Sequence, residues 1–141
     1  MAVATRTLRD TSIGTVSGAV GGLVTVLVNI DDDTTATNAI LDASALDGHA
    51  NGAKLHIKRL WWGLVQGTAN DDTGHAAIIE QGDSDVTLID LAGSGHYDGT
   101  AGLIKSNATN TGATSGDMEL SLRDCSGFII MELRKDENFT S

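Results

Sequence analysis

The sequence predicts an all-β fold: an antiparallel β-sandwich, jelly-roll-like, of about eight strands, with a flexible N-terminal arm. Three observations carry that expectation. Short apolar runs alternate with clusters of Gly, Ser, Thr, Asn and Asp, while helix formers are scarce outside two patches. The turn signals recur at sandwich-like spacing. Residues 117–123 alternate cleanly, with Met118, Leu120 and Leu122 set against Glu119, Ser121 and Arg123, the period of a strand buried on one face and solvated on the other.

Residues 1–22 differ from the rest. They hold Arg6 and Arg9 against Asp10, with Gly14, Gly18, Gly21 and Gly22 spaced through a Thr/Ser/Val-rich stretch. Residues 1–30 therefore carry +1 (two basic, one acidic) and residues 31–141 carry −11 (seven basic, eighteen acidic). Two readings stand open for 1–22, an arm that orders on a partner or a first strand with a frayed end. Residues 23–141 read as one sandwich domain. Its strands are expected near 23–30, 39–46, 54–65, 75–81, 85–91, 101–106, 117–123 and 128–135. The segment 38–48 also admits a helix with Leu41 and Ala45 on one face. Asp47-Gly48, Asn51-Gly52, Gly93-Ser94-Gly95, Asp98-Gly99 and Asn110-Thr111-Gly112 supply residues that tolerate positive φ or close Asx turns, so residues 93–98 read as a tight turn.

Two strands break the alternation. Trp61 and Trp62 are adjacent, and neighbouring side chains on a strand point to opposite faces, so only one of them enters the core. Phe128-Ile129-Ile130-Met131 likewise places two large groups on each face. Antiparallel strands of a lone sandwich show a polar outer face, so these double-sided strands predict cover by another subunit or by the chain's own arm. A bulge at 58–60 is the competing account of the first strand, with Leu55 and Ile57 on one phase and Leu60, Trp62 and Leu64 on the other.

Composition narrows function. The chain has 141 residues, enough for one domain, and its longest apolar runs fall far short of the roughly 18 residues that cross a bilayer. Nineteen acidic and nine basic residues give −10, which disfavours nucleic acid and anionic membranes as partners. No apolar stretch of signal-peptide type precedes Leu23, and the lone Cys125 has no internal disulfide partner; folding in a reducing cell is expected. His49, His56, His75 and His96 are scattered without zinc spacing, and no metal site or cofactor is expected. His56 reads as part of a polar outer row with Lys54 and Lys58, and Cys125 as an inert thiol. Asp31-Asp32-Asp33, Asp71-Asp72, Asp83 and Asp85 read as solvated turns, with calcium as the competing account. Neither a nucleophile elbow nor a phosphate loop is present, so no catalytic residue is assigned and an enzyme is not expected.

The run Leu55-His56-Ile57-Lys58-Arg59-Leu60-Trp61-Trp62, then residues 91–98, Ala101-Gly102-Leu103-Ile104 with Asn107-Ala108, residues 114–121 and the ending Phe128 to Lys135 resemble small virion structural proteins of tailed, largely marine, bacteriophages. The pattern covers about residues 38–135. The resemblance implies a head decoration, or cement, protein on the capsid exterior, often trimeric, assembled in the host cytoplasm and binding the major capsid protein and itself. Acidic charge fits the outside of a particle better than a surface facing packaged DNA. The expected contact residues are Trp61 or Trp62, Phe128 and Met131 at a subunit interface, with Arg6 and Arg9 touching the capsid. A neck- or tail-associated protein and a host-carbohydrate-binding sandwich module are the alternatives.

Overall fold

A computed structural model gives the protein's structure and describes residues 3–11, 22–33, 38–42, 55–66, 74–80, 86–104, 117–123 and 125–135. Among these described residues nine strands form two antiparallel sheets: β1 (Val3–Asp10), β2 (Leu23–Asp33), β3 (Asn38–Leu41), β4 (Leu55–Gln66), β5 (His75–Glu80), β6 (Val86–Ala92), β7 (Ser94–Tyr97), β8 (Met118–Arg123) and β9 (Cys125–Lys135). One sheet runs β1-β2-β9-β4-β7 and the other β3-β8-β5-β6. Among β2 to β9, β2 lies beside β9, β3 beside β8, β4 beside β7 and β5 beside β6. This nesting of outer strands around inner ones is a long hairpin rolled into two sheets, the jelly-roll arrangement that the sequence predicts.

The core lies between the sheets. Val24, Val26, Val28 and Ile30 of β2 face it together with Ile129, Met131 and Leu133 of β9, and Ile78, Leu120 and Leu122 meet them from the second sheet. Their spacing of two residues is the direct cause: each β-branched or leucine side chain on that phase leaves water, and the intervening residues do not.

Two open readings are decided, the first strand over the arm for 3–10 and strand over helix for 38–41, and several expectations are corrected. Residues 3–10 are the edge strand β1, paired with β2 along its length, and residues 12–21 lie outside the described residues. Ser94–Tyr97, expected within a turn, is β7; the bend is confined to Gly93, whose φ of 60° marks the step from the four-stranded to the five-stranded sheet, and it resumes at Gly99. Of the expected strand 101–106, the described part contributes a single bridge between Ile104 and Ile57. Asn38–Leu41 is extended rather than helical, and 43–50 lies outside the described residues. Met118, Leu120 and Leu122 are buried as expected, but Glu119 is buried too, because Ala39 and Ile79 flank it on the neighbouring strands.

The β4 pattern resolves in favour of a bulge. The β4–β9 register shifts between Ile57 and Arg59, so Lys58 is the extra residue, and Leu55, Ile57, Leu60 and Leu64 all reach the core. His56, expected in a solvated row, is instead buried opposite Arg134. After Tyr97 the chain turns through an Asx motif: the Thr100 amide donates to Asp98 Oδ1 at 2.9 Å, and the Thr100 hydroxyl donates to the same oxygen. These two bonds hold the Asp98 carboxyl below the ordinary carboxylate value. A depressed acid stabilises above its unfolded value and loses that contribution as pH falls through its folded value. The turn is therefore fully braced at neutral pH and loosens only in acid. In Thr100→Ala, which keeps the amide bond and removes the hydroxyl bond, the Asp98 titration, followed by carboxyl NMR shifts, moves upward; an unchanged titration would refute the Thr100 hydroxyl as the main cause.

Candidate functional site

The outer face of the five-stranded sheet gathers most of the residues that the sequence singles out. Its registers align one row across all five strands: Arg6 of β1 opposite Leu27, Leu27 opposite Ile130, Ile130 opposite Trp61, and Trp61 opposite His96 of β7. Two residues along, a second row holds Ala4, Asn29, Phe128, Gly63 and Ser94. In the other direction, Thr25 stands between Arg9 and Glu132, and Glu132 is opposite Arg59. The last row sets Leu23 and His56 on either side of Arg134.

Trp61 is 36% exposed and Phe128 38%, large apolar surfaces to leave in water. Leu27 and Ile130 between them are half-buried. The Phe128 ring lies over Gly63, where a Cβ would stand 2.8 Å from Phe128 Cε1; the absent side chain lets the ring flatten onto the sheet.

The charges on this face are concentrated. Glu132 sits among Arg9 at 3.6 Å, Lys58 at 3.7 Å and Arg59 at 3.8 Å, and Arg6 and Arg134 share the same phase. Five of the nine basic residues thus accompany one carboxylate across these four rows, while the rest of the chain carries four basic and eighteen acidic residues. The acidic balance of the whole molecule hides a basic, aromatic face. Exposed pairs of this length contribute little to stability, about 0 to 1 kcal/mol each. Their importance is to the field the face presents.

Not every expected contact residue lies here. Met131 is fully buried on the inner phase of β9, so it belongs to the core and offers no surface to a partner. Trp62 is the inward member of its pair: it packs against the core, its indole Nε1 donates to the Ala92 carbonyl at 3.0 Å, and Gly95 leaves room for its ring. Trp62 therefore ties β4 to the β6–β7 corner, and Trp61 is the outward one. Trp62→Ala is expected to cost about 3 kcal/mol through lost packing against the core, whereas Trp61→Ala changes stability by less than about 1 kcal/mol. Urea denaturation of the two variants under conditions where the protein is monomeric separates them; equal losses would contradict this assignment.

Elsewhere, Cys125 is fully buried with its thiol 3.7 Å from the His75 carbonyl, and His75 Nδ1 lies 2.8 Å from Asp90 Oδ1, a cross-strand pair between β5 and β6 that sequence spacing did not reveal. Among the described residues no three His, Cys, Asp or Glu side chains converge as metal ligands. The candidate calcium turns at Asp71, Asp72, Asp83 and Asp85, and His49, fall outside the described residues. What the sheet face can do chemically is bind: it offers apolar area for burial and cations for orientation, from a rigid central part of the fold. Comparison with family models, curated proteins and solved structures returned no match to this chain.

Proposed function

We propose that this chain is a structural protein of a bacteriophage virion, a decoration protein that attaches to the outer capsid surface and stabilises the head through protein–protein contacts, acting as a homo-oligomer. The supporting observation is the face built from Leu27, Ile130, Trp61 and Phe128 among arginines: a rigid, partly apolar, charged surface on an otherwise acidic sandwich. Such a surface gains by burying area against another protein, at about 25 cal/mol per Å² of apolar area, and many copies on a lattice add their contributions. The sequence resemblance to small phage virion proteins points the same way, and the acidic remainder of the molecule keeps a decorated particle soluble.

The neck or tail reading differs in stoichiometry, which makes copy number the test. In purified particles from the producing host, this chain is expected at a fixed simple ratio to the major capsid protein. A handful of copies would move it to the neck or tail, and absence from particles would overturn a virion role. The carbohydrate-binding alternative predicts quenching of Trp61 fluorescence by host-surface sugars.

A further inference from the structure

We propose that the outer face of the five-stranded sheet pairs with the same face of a second copy, across a two-fold axis lying in the interface and perpendicular to the strands. The inference rests on the reading above that this face meets protein, and it names the occupant. Charge is unevenly distributed along the strands of this face. At one end of the face Arg9, Lys58, Arg59 and Arg134 outnumber Glu132; in the middle lie Leu27, Ile130, Trp61 and Phe128, with Arg6 at the β1 edge; at the other end β2 continues past Asn29 into exposed Asp31.

A two-fold along the strands would lay cations on cations and is excluded by repulsion. A two-fold across the strands reverses one copy, lays the aromatic centre on its equivalent, and sets β2 antiparallel over β2 of its mate. Asp31 of each copy then arrives near the Thr25 row of the other, beside Arg9, which lies next to Thr25 on β1. Self-complementarity of this kind is what the commonest oligomer symmetry requires.

Five strands at about 4.8 Å spacing and eight residue steps from Leu23 to Asp31 at about 3.3 Å outline roughly 600 Å² per copy. The pair would bury about 1,200 Å² in all, the lower end of the range for specific complexes. Pairing is therefore concentration-dependent and, with exposed ion pairs at its ends, weakened by salt.

Sedimentation equilibrium on the intact chain tests this with charge reversal. Wild type is expected to pair at low salt below about 1 mM. Arg9→Glu and Asp31→Arg each place like charges at both ends and are expected to sediment as monomers. An equimolar mixture of the two is expected to pair again, because one end then carries the native contact and the other its mirror. Circular dichroism of each variant verifies folding, and both sites are exposed. Monomeric wild type, pairing that survives either single reversal, a mixture that stays monomeric, or a mass of three copies would each overturn the proposal. None of these results bears on copy number in particles, so the virion role stands or falls separately, whereas a monomeric wild type would also remove the homo-oligomer from the functional reading.

Discussion

Gly127→Ala is expected to destabilise the protein by about 3 to 5 kcal/mol, more than any surface change. Gly127 lies in β9, the middle strand of the five-stranded sheet, opposite Ile30 on one side and Leu64 on the other. Two costs coincide there. Its φ of 141° is one that side-chain-bearing residues rarely adopt, a strain of about 1–3 kcal/mol. A Cβ would also stand 1.9 Å from the Gly63 carbonyl oxygen, so β4 and β9 would have to part near the Gln66–Cys125 end of their pairing, an overpacking cost of about 1–3 kcal/mol or more. Gly102 supplies the control, because its φ is 105° and nothing lies within 4 Å of its Cβ position. Gly102→Ala should incur only the backbone cost, about 1–3 kcal/mol. Denaturant unfolding of both variants isolates the steric share. Equal losses would show that the close approach of β4 to Gly127 costs nothing.

How far the sequence could be read follows from which signals are local. The β8 strand announced itself because a two-residue period needs no knowledge of neighbours, and β2, β4 and β9 did so as apolar runs bounded by turn residues. The adjacent tryptophans announced an exposed aromatic, since geometry forbids both from facing inward without a bulge. Which one faced outward depended on the bulge at Lys58, and a bulge is fixed by register against β9 rather than by residue type. Met131 was assigned to a surface because four apolar residues in a row do not state their phase; pairing with inward Val26 and Leu60 does. β7 was unreadable for a different reason. Ser94-Gly95-His96-Tyr97 has turn composition, and it is extended because Trp62 needs a glycine opposite its ring and the β4 edge needs a partner. The basic face was invisible in the total charge, for five cations scattered from residue 6 to residue 134 meet only when β1, β2, β9 and β4 lie side by side.

The second large effect concerns how β1 is held. Seven of its eight residues are exposed, so side-chain burial contributes little to keeping it on the sheet. Beyond its pairing with β2, it is fastened at one end: the fully buried Lys135 ammonium donates to Asp10 Oδ1 at 2.5 Å and to the Thr11 carbonyl at 2.8 Å, while the Lys135 amide donates to the Gly22 carbonyl at 2.8 Å. Removing one member of a buried ion pair costs about 3–5 kcal/mol, because the remaining charge keeps its desolvation penalty without its counter-charge. The two members differ in exposure, 0% for the lysine side chain and 24% for the aspartate, so the damage should be asymmetric. Asp10→Asn leaves a fully buried ammonium facing a neutral amide and is expected to cost about 3 kcal/mol. Lys135→Met leaves a partly hydrated carboxylate and fills the lysine's space with an apolar chain, so it should cost less. The double variant should recover part of the Asp10→Asn loss, since a well-packed apolar replacement of a buried pair is often neutral. Hydrogen exchange localises the effect: in Asp10→Asn the β1 amides should lose protection ahead of those of β9. Equal costs for the two single variants, or β1 protection unchanged in Asp10→Asn, would refute the lock. Because β1 carries Arg6 and Arg9, loosening it should also weaken any association of the outer face while leaving Trp61 and Phe128 in place. The inner lysine thereby sets the order of a surface it does not touch.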